Sequence, residues 1–169
     1  MESVSFEDIR PLFGLHLDDA PVQEFLKRFP DHRVTKPNDG VQYAIFRSLG
    51  FDLLFRPPAG PQGGPSKRLR VLMTVFLYRA GEEKHQEFRE PPFGIKFADP
   101  RDALVQKLGE PFATSLMVNV TPLAWEKWRV GDLTVHSMYD RSSMTTRTFS
   151  IGPELKPAGK PVEIIPARA

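Results

Sequence analysis

The chain has 169 residues, 40% hydrophobic and 26% charged, so it can bury a core and lacks the composition of a disordered protein. Its 23 Lys and Arg nearly balance 21 Asp and Glu, which makes nucleic acid an unfavourable partner. The absence of cysteine excludes a disulfide framework and a cysteine-based zinc site. Because the N-terminus has no apolar run and no stretch reaches about 20 apolar residues, we expect no signal peptide, no membrane association and a cytoplasmic location.

Apolar periodicity predicts a helix followed by strands in the first half. Val22, Phe25, Leu26 and Phe29 repeat at helical spacing, with Pro21 in the first turn and a proline directly after them. Strands are predicted at residues 41–47, 49–56 and 69–78, separated by turns and, at residues 57–66, by an exposed loop rich in Pro and Gly. In the last strand Leu69, Val71, Met73, Val75 and Leu77 are predicted to face one side and the intervening residues the other.

The second half shows a similar order. Residues 93–97 alternate as in an extended strand, Pro100 precedes a helix with an apolar stripe from Ala103 to Leu108, and Gly109 ends it. Strands are predicted at residues 125–129, 131–135 and 147–151. A Phe-Gly-aliphatic pattern near residues 12–19 matches the one at residues 92–99, which indicates an internal repeat.

The predicted fold class is therefore α+β, with two tandem helix-plus-antiparallel-sheet repeats whose sheets form one broad concave surface. We assign residues 1–80 to the first repeat, 81–90 to a charged linker, 91–152 to the second repeat and 153–169 to an extended tail.

Catalytic motifs are missing from the sequence. His16, His32, His85 and His136 stand far apart and show none of the usual metal-ligand spacings. The sequence also has no nucleophile elbow, phosphate-binding glycine loop or dinucleotide fingerprint. We therefore predict a protein that is not an enzyme, with no catalytic residues, no cofactor and no metal.

Aromatic and arginine side chains away from the predicted core instead indicate a protein-binding surface, because these residue types dominate interfaces. The candidates are Arg56, Arg70, Phe76, Tyr78, Trp125, Trp128, Arg129, His136 and Tyr139. Two alternatives remain open. Trp125 and Trp128 could plug the junction between the repeats while Phe76 fills a closed core, and His136 could be an ordinary sheet-surface histidine.

The run from Tyr78 through Phe88-Arg89-Glu90-Pro91-Pro92-Phe93-Gly94-Ile95-Lys96-Phe97 to Leu108-Gly109-Glu110-Pro111 resembles the repeat of beta-lactamase inhibitor protein. It is similar as well to small outer-membrane assembly lipoproteins and to bacterial immunity proteins with that repeat. This chain lacks the cysteines of the secreted inhibitor and the lipid-anchor cysteine of the lipoproteins. The resemblance therefore implies a cytosolic immunity protein that binds a cognate toxin and blocks it sterically. The alternatives are a small-molecule or lipid binding domain, and a scaffold component of a secretion or envelope assembly.

Overall fold

A computed structural model describes residues 3–58 and 70–153. Most of the predicted Pro/Gly loop at residues 57–66 and nearly all of the predicted tail at residues 153–169 lie outside the described residues. Within these two ranges, no helix combines the length and the apolar character that crossing a membrane requires.

One antiparallel sheet of eight strands dominates the described part of the chain. The strands are β1 (Arg33–Val34), β2 (Gln42–Phe46), β3 (Phe51–Arg56), β4 (Val71–Tyr78), β5 (Ala113–Thr114), β6 (Trp125–Val130), β7 (Leu133–Tyr139) and β8 (Thr146–Pro153). Their spatial order is β1-β2-β3-β4-β8-β7-β6-β5, so the last strand in sequence lies at the centre, against β4. The two-residue strands β1 and β5 form the edges.

The predicted fold class of two tandem helix-plus-sheet repeats with a joint concave surface is wrong. Val75 pairs with Ile151 and Tyr78 with Thr148, so β4 and β8 are neighbours in a single continuous sheet. The α-helices are few and short. The repeat was inferred in part from a strand at residues 93–97, but Pro92–Gly94 form a 3-10 turn in which Phe93 has φ of 62°. A residue with positive φ cannot continue a strand, so the alternation there was misleading.

Three α-helices flank the sheet in the described residues: α1 (Phe6–Ile9), α2 (Ala20–Arg28) and α3 (Arg101–Leu108). The sequence predicted α2 and α3 from the residues that begin and end each helix. Pro21 lies in the first turn of α2, where its missing N–H costs nothing, and α3 ends at Gly109, whose φ of 85° suits glycine. Ser5 is the N-cap of α1, and its backbone N–H and its hydroxyl both donate to the Asp8 carboxylate, at 2.8 and 2.9 Å.

The core lies between the helices and one face of the sheet. Phe25 of α2 contacts Phe46 of β2 and Phe51 of β3, with ring centroids 5.9 and 6.3 Å apart, and Phe46 stacks on Phe51 at 4.4 Å. Leu104 of α3 is fully buried in the same core. Helices and sheet therefore share one continuous apolar interior.

Core and non-core side chains do not alternate strictly along β4. Leu54 of β3 is opposite Thr74, but the next residue, Phe55, is opposite Leu72. This register shift is a β-bulge, so Leu72 and Val75 both join the core although one lies at an even and the other at an odd position. The predicted split of residues 69–78 into two faces is therefore wrong on the N-terminal side of the bulge.

Candidate functional site: the open face of the sheet

The sheet has a second face, called the open face here, whose side chains do not belong to the core shared with the helices. Its members alternate with core residues along each strand. They are Tyr43, Ile45, Asp52, Leu54, Thr74, Phe76, Tyr78, Lys127, Arg129, Trp125, Thr134, His136, Met138, Thr148 and Ser150. Many of these large side chains are only partly buried, so the face exposes aromatic and aliphatic surface.

Strand register places several of these residues in one row. Asp52 is opposite Phe76, Phe76 opposite Ser150, Ser150 opposite His136, and His136 opposite Lys127. The row therefore crosses five neighbouring strands. Because adjacent strands are about 4.8 Å apart, it extends over roughly 19 Å, which is long enough to engage a protein surface.

His136 is held between two neighbours on this face. Its ring meets Trp125 edge-on at 5.7 Å, and the ammonium of Lys127 lies 5.4 Å from the Trp125 ring centroid. Burial, aided by the Lys127 charge, lowers the pKa of His136 to about 4, so the ring is neutral at physiological pH. Its Nε2 is buried and has no hydrogen-bond partner among the described residues. Among the described residues, the hydrogen-bonding capacity of this nitrogen is therefore unused.

A depression of about 450 Å³ lies over the other end of the row. Tyr43, Ile45, Phe76 and Met138 supply its apolar wall, and Arg47 is among the charged residues at its edge. The Tyr43 and Phe76 rings are 6.5 Å apart and inclined by 36°, a geometry in which two aromatic rings attract each other.

The floor of the depression is a buried polar cluster. The Tyr78 hydroxyl donates to Asp52 Oδ2 at 3.0 Å, and His85 Nε2 lies 2.8 Å from Asp52 Oδ1. Because a carboxylate only accepts, the His85 proton belongs on Nε2. Burial, together with the nearby Asp52 charge, raises the pKa of Tyr78 well above its ordinary value, which keeps its hydroxyl protonated.

Such an Asp–His pair could in principle orient a general base. However, the free nitrogen of His85, Nδ1, is buried and has no hydrogen-bond partner among the described residues, and its ring stacks on Tyr78 at 4.0 Å. A substrate in the depression therefore cannot reach it. The cluster instead fastens the segment around His85 to β3 and β4, helped by Phe88, whose backbone N–H donates to the Tyr78 carbonyl at 3.0 Å.

Ion pairs reinforce the rim beside this cluster. Glu82 accepts from Arg79 at 3.0 Å and from Arg147 at 2.8 Å, while Arg79 also donates to Asp140 at 3.1 Å. The hydrogen bond from Arg147 is the largest influence that lowers the pKa of Glu82. These charges link the segment after β4 to β8 and to the turn after β7.

Two of the predicted binding residues are core residues instead. Trp128 is fully buried and its indole N–H donates to the Gly109 carbonyl at 2.9 Å, so it is a core residue of the single sheet rather than a plug between two repeats. Tyr139 is 3% exposed and donates to Glu126 Oε2 at 2.8 Å. Glu126 is itself buried and accepts from Arg101 Nε at 3.0 Å. Both aromatic residues are inaccessible to a partner because their strands turn these positions towards the helices.

Of the other predicted residues, only Tyr78 is also buried. Phe76, Trp125 and His136 are half-buried on the open face; Tyr78 shares that face but is covered by the His85 ring. Exposed Arg129 places its guanidinium 4.2 Å from the Phe112 ring centroid.

Arg56, at the end of β3, and Arg70, just before β4, are partly buried, and residue 69, directly before Arg70, lies outside the described part. Arg56 Nε is buried without a hydrogen-bond partner among the described residues.

Sequence reasoning missed Asp52 and His85. Asp52 could have been noticed, because a carboxylate inside the apolar run of β3 requires a buried partner. His85 lies in a segment that the sequence predicts to be a charged linker, and no pattern there indicates that its ring is buried. Tyr43 and Ile45 were missed as site residues because the sequence pattern around them indicates only a strand.

A metal centre has no candidate in this region. Among residues 3–58 and 70–153, no three His, Asp or Glu side chains are grouped so that they could hold a metal ion. The prediction that the chain uses no metal or cofactor stays a prediction.

Comparison with known proteins adds little. No protein-family model and no curated protein matches the chain. Among solved structures, a cysteine-rich secretory protein from Staphylococcus aureus subsp. aureus Mu50 is similar, with a TM-score of 0.46 and 11% identity over 85% of this chain. The chain spans 44% of that protein's length. A likeness of this size carries no argument about function.

Proposed function

We propose that the protein is a bacterial immunity protein that binds a cognate toxin through the open face and inhibits it sterically, in the cytoplasm and without catalysis. The observation that carries the proposal is the open face itself, where half-buried Tyr43 and Phe76 and exposed Met138 lie outside the core. Exposed apolar surface of this kind on a soluble domain is characteristic of interaction sites. The sequence resemblance to immunity proteins supplies the class of partner.

The distribution of side chains suits a protein partner. Aromatic residues and methionine in the middle can bury large areas with little loss of conformational entropy. Charged groups at the edge, such as Arg47 and Glu83, are exposed and can set which partner binds. The buried Tyr78–Asp52 hydrogen bond holds the floor rigid, so little ordering is required on binding.

A second candidate is a small-molecule or lipid binding domain, favoured by the depression of about 450 Å³. Its volume lies within the range of ligand sites. Its edge carries exposed Arg47 and Glu83, whereas a lipid site would be enclosed and apolar. A scaffold role in a secretion or envelope assembly would use the same face with a different partner.

Co-expression with a toxin encoded beside this gene tests the proposal. Cells that produce the toxin should survive only with this protein, and the two should purify as a stoichiometric complex. Phe76→Ala and Tyr43→Ala should abolish protection, with affinity reduced roughly tenfold to a hundredfold for each. Lys27→Ala on α2 is the matched control, because its side chain is 69% exposed on the helix side.

Protection that survives both open-face substitutions would refute the site. A purified protein that binds no adjacent gene product but retains a small apolar ligand through extraction would support the second candidate instead. Circular dichroism of each variant separates loss of binding from loss of folding.

A further inference from the structure

Charged side chains of the strands are distributed unequally between the two faces of the sheet. Arg33 of β1 is opposite Ile45, and Ile45 is opposite Asp52, so Arg33 extends the row of the open face by two strands. Lys127 ends the same row on β6. Arg56 lies four positions after Asp52 on β3 and shares its face. The open face therefore carries basic side chains at both ends of its central row.

Few acidic groups offset these cations. Asp52 is buried and accepts from the polar cluster beneath the depression rather than from a surface cation. Glu82 is occupied by two arginines outside the row. Among the described residues, Arg33, Arg56 and Lys127 form no ion pair. Their positive charge is therefore not neutralised within this part of the chain.

The helix side shows no such excess of positive charge. The three described α-helices carry four acidic and four basic residues, namely Glu7, Asp8, Glu24, Asp102, Lys27, Arg28, Arg101 and Lys107. Two of the basic residues are paired locally, since Lys27 donates to Glu24 at 2.9 Å and Lys107 to Asp99 at 2.6 Å. Among the strands and helices, positive charge is therefore concentrated on the open face, although the formal net charge of the chain is only +2.

The basic ends of the row flank an apolar centre. Phe76 lies on β4, the middle of the seven strands from β1 to β6 in the sheet. Arg33 and Lys127 are each three strands away from it, which corresponds to about 14 Å. The Lys127 ammonium lies 5.4 Å from the Trp125 ring centroid, a contact that favours one position of the charge. An apolar centre with charged groups around it is the usual anatomy of a protein interface.

We propose that the toxin surface bound by the open face is acidic, with carboxylates that pair with Arg33 and Lys127 on either side of an apolar patch that covers Phe76. This inference rests on the proposed function, because it names the chemistry of the partner at the same site. Opposite charges on the two surfaces accelerate their encounter and fix their relative orientation. A basic partner would place like charges together at both ends of the row, which would weaken binding.

A nucleic acid is the other polyanion that such a face could attract. It binds through basic side chains that follow its phosphate backbone along a groove. Arg33 and Lys127 are roughly 29 Å apart, and the five row positions between them hold no Lys or Arg. Exposed Glu83, beside the depression, would repel phosphates. A protein with separate acidic groups fits this spacing, whereas a continuous phosphate chain does not.

The association rate with the toxin encoded beside this gene tests the inference. In stopped-flow mixing, the rate constant of the wild-type chain should fall about tenfold or more as NaCl increases from about 25 to about 500 mM. Arg33→Glu with Lys127→Glu should slow association roughly tenfold to a hundredfold at low salt. Lys27→Glu with Lys107→Glu on the helices is the matched control, because it changes the net charge equally, and its rate should stay within about threefold of the wild-type value.

An association rate that depends neither on salt nor on the charge reversal overturns the acidic partner and leaves the proposed function intact. A wild-type chain that neither binds the toxin nor protects cells refutes both. Fluorescence anisotropy with a single-stranded RNA of about 20 nucleotides is the third arm. Micromolar RNA binding that the charge-reversed variant loses would assign the open face to nucleic acid instead and overturn the inference.

The charge-reversed variant should fold normally. Arg33 is exposed and Lys127 is half-buried, and neither forms an ion pair with another described residue, so the melting temperature should stay close to that of the wild type. Circular dichroism checks this. If charge reversal impairs folding, Arg33→Gln with Lys127→Gln should slow association in the same direction but to a smaller extent.

Discussion

The two tryptophans offer a matched test of which face of the sheet is interior. Trp125 and Trp128 lie on the same strand, yet Trp128 is fully buried while Trp125 is half-buried on the open face. We expect Trp128→Ala to lower the free energy of unfolding by about 3–5 kcal/mol from lost burial and cavity formation. The unpaired Gly109 carbonyl, which now accepts from Trp128 Nε1 at 2.9 Å, adds about 1 kcal/mol.

Trp125→Ala should cost only about 1 kcal/mol, because its ring contacts His136 and Lys127 at the surface and its removal leaves no internal cavity. In a domain of this size the melting temperature should fall by about 2–4 °C per kcal/mol. Urea denaturation measures both changes, and each variant retains the other tryptophan as the fluorescent probe. If Trp128→Ala does not fold, Trp128→Phe gives a graded loss. Equal costs at the two positions would refute the assignment of faces.

Three further substitutions follow from the geometry. Glu126→Gln should lower the free energy of unfolding by about 2–4 kcal/mol, because it breaks the ion pair between buried Glu126 and Arg101. The control is Glu24→Gln, since the Glu24 side chain is 72% exposed in its ion pair with Lys27, and it should change this free energy by about 0.5 kcal/mol or less. Urea denaturation measures both. The folded-state pKa of His136, about 4, lies below its ordinary 6.5, so the unfolded chain protonates first as pH falls. The free energy of unfolding should therefore decrease by about 1–2 kcal/mol between pH 6.5 and 4, after allowance for solvent screening, and His136→Asn should remove this component. Gly152→Ala should lower the melting temperature sharply, because the added Cβ would clash with the Met73 carbonyl oxygen of β4. An unchanged melting temperature would contradict the close approach of β8 to β4.

The parts of the fold that depend on local sequence could be predicted. Alternating apolar residues located β3, the similar order of elements in the two halves located β6 and β8, and the Pro100 and Gly109 signals bounded α3 to within a residue. Side chains alternate between the two faces of a strand, so Trp125 and Trp128, three positions apart in one strand, are expected on opposite faces. The prediction that both tryptophans belong to one binding surface is inconsistent with this alternation.

Other features depend on contacts between distant parts of the chain. The pairing of β4 with β8, which merges the strands into one sheet, joins residues 70 or more positions apart. No local pattern encodes it. The positive φ of Phe93 and the bulge opposite Leu54 are set by tertiary packing that overrides the local preference for a strand. His85 becomes part of the site because its segment folds back onto Asp52, which again requires the tertiary structure.

Affinity for the cognate toxin tests the central claim most directly, namely that the open face is the binding surface. Isothermal titration calorimetry should show Phe76→Ala weakening binding at least tenfold while its melting temperature stays close to that of the wild type. Lys27→Ala on the helix side should leave affinity unchanged. Full affinity in Phe76→Ala, combined with a loss in the helix-side variant, would place the partner on the opposite side of the molecule and contradict the account.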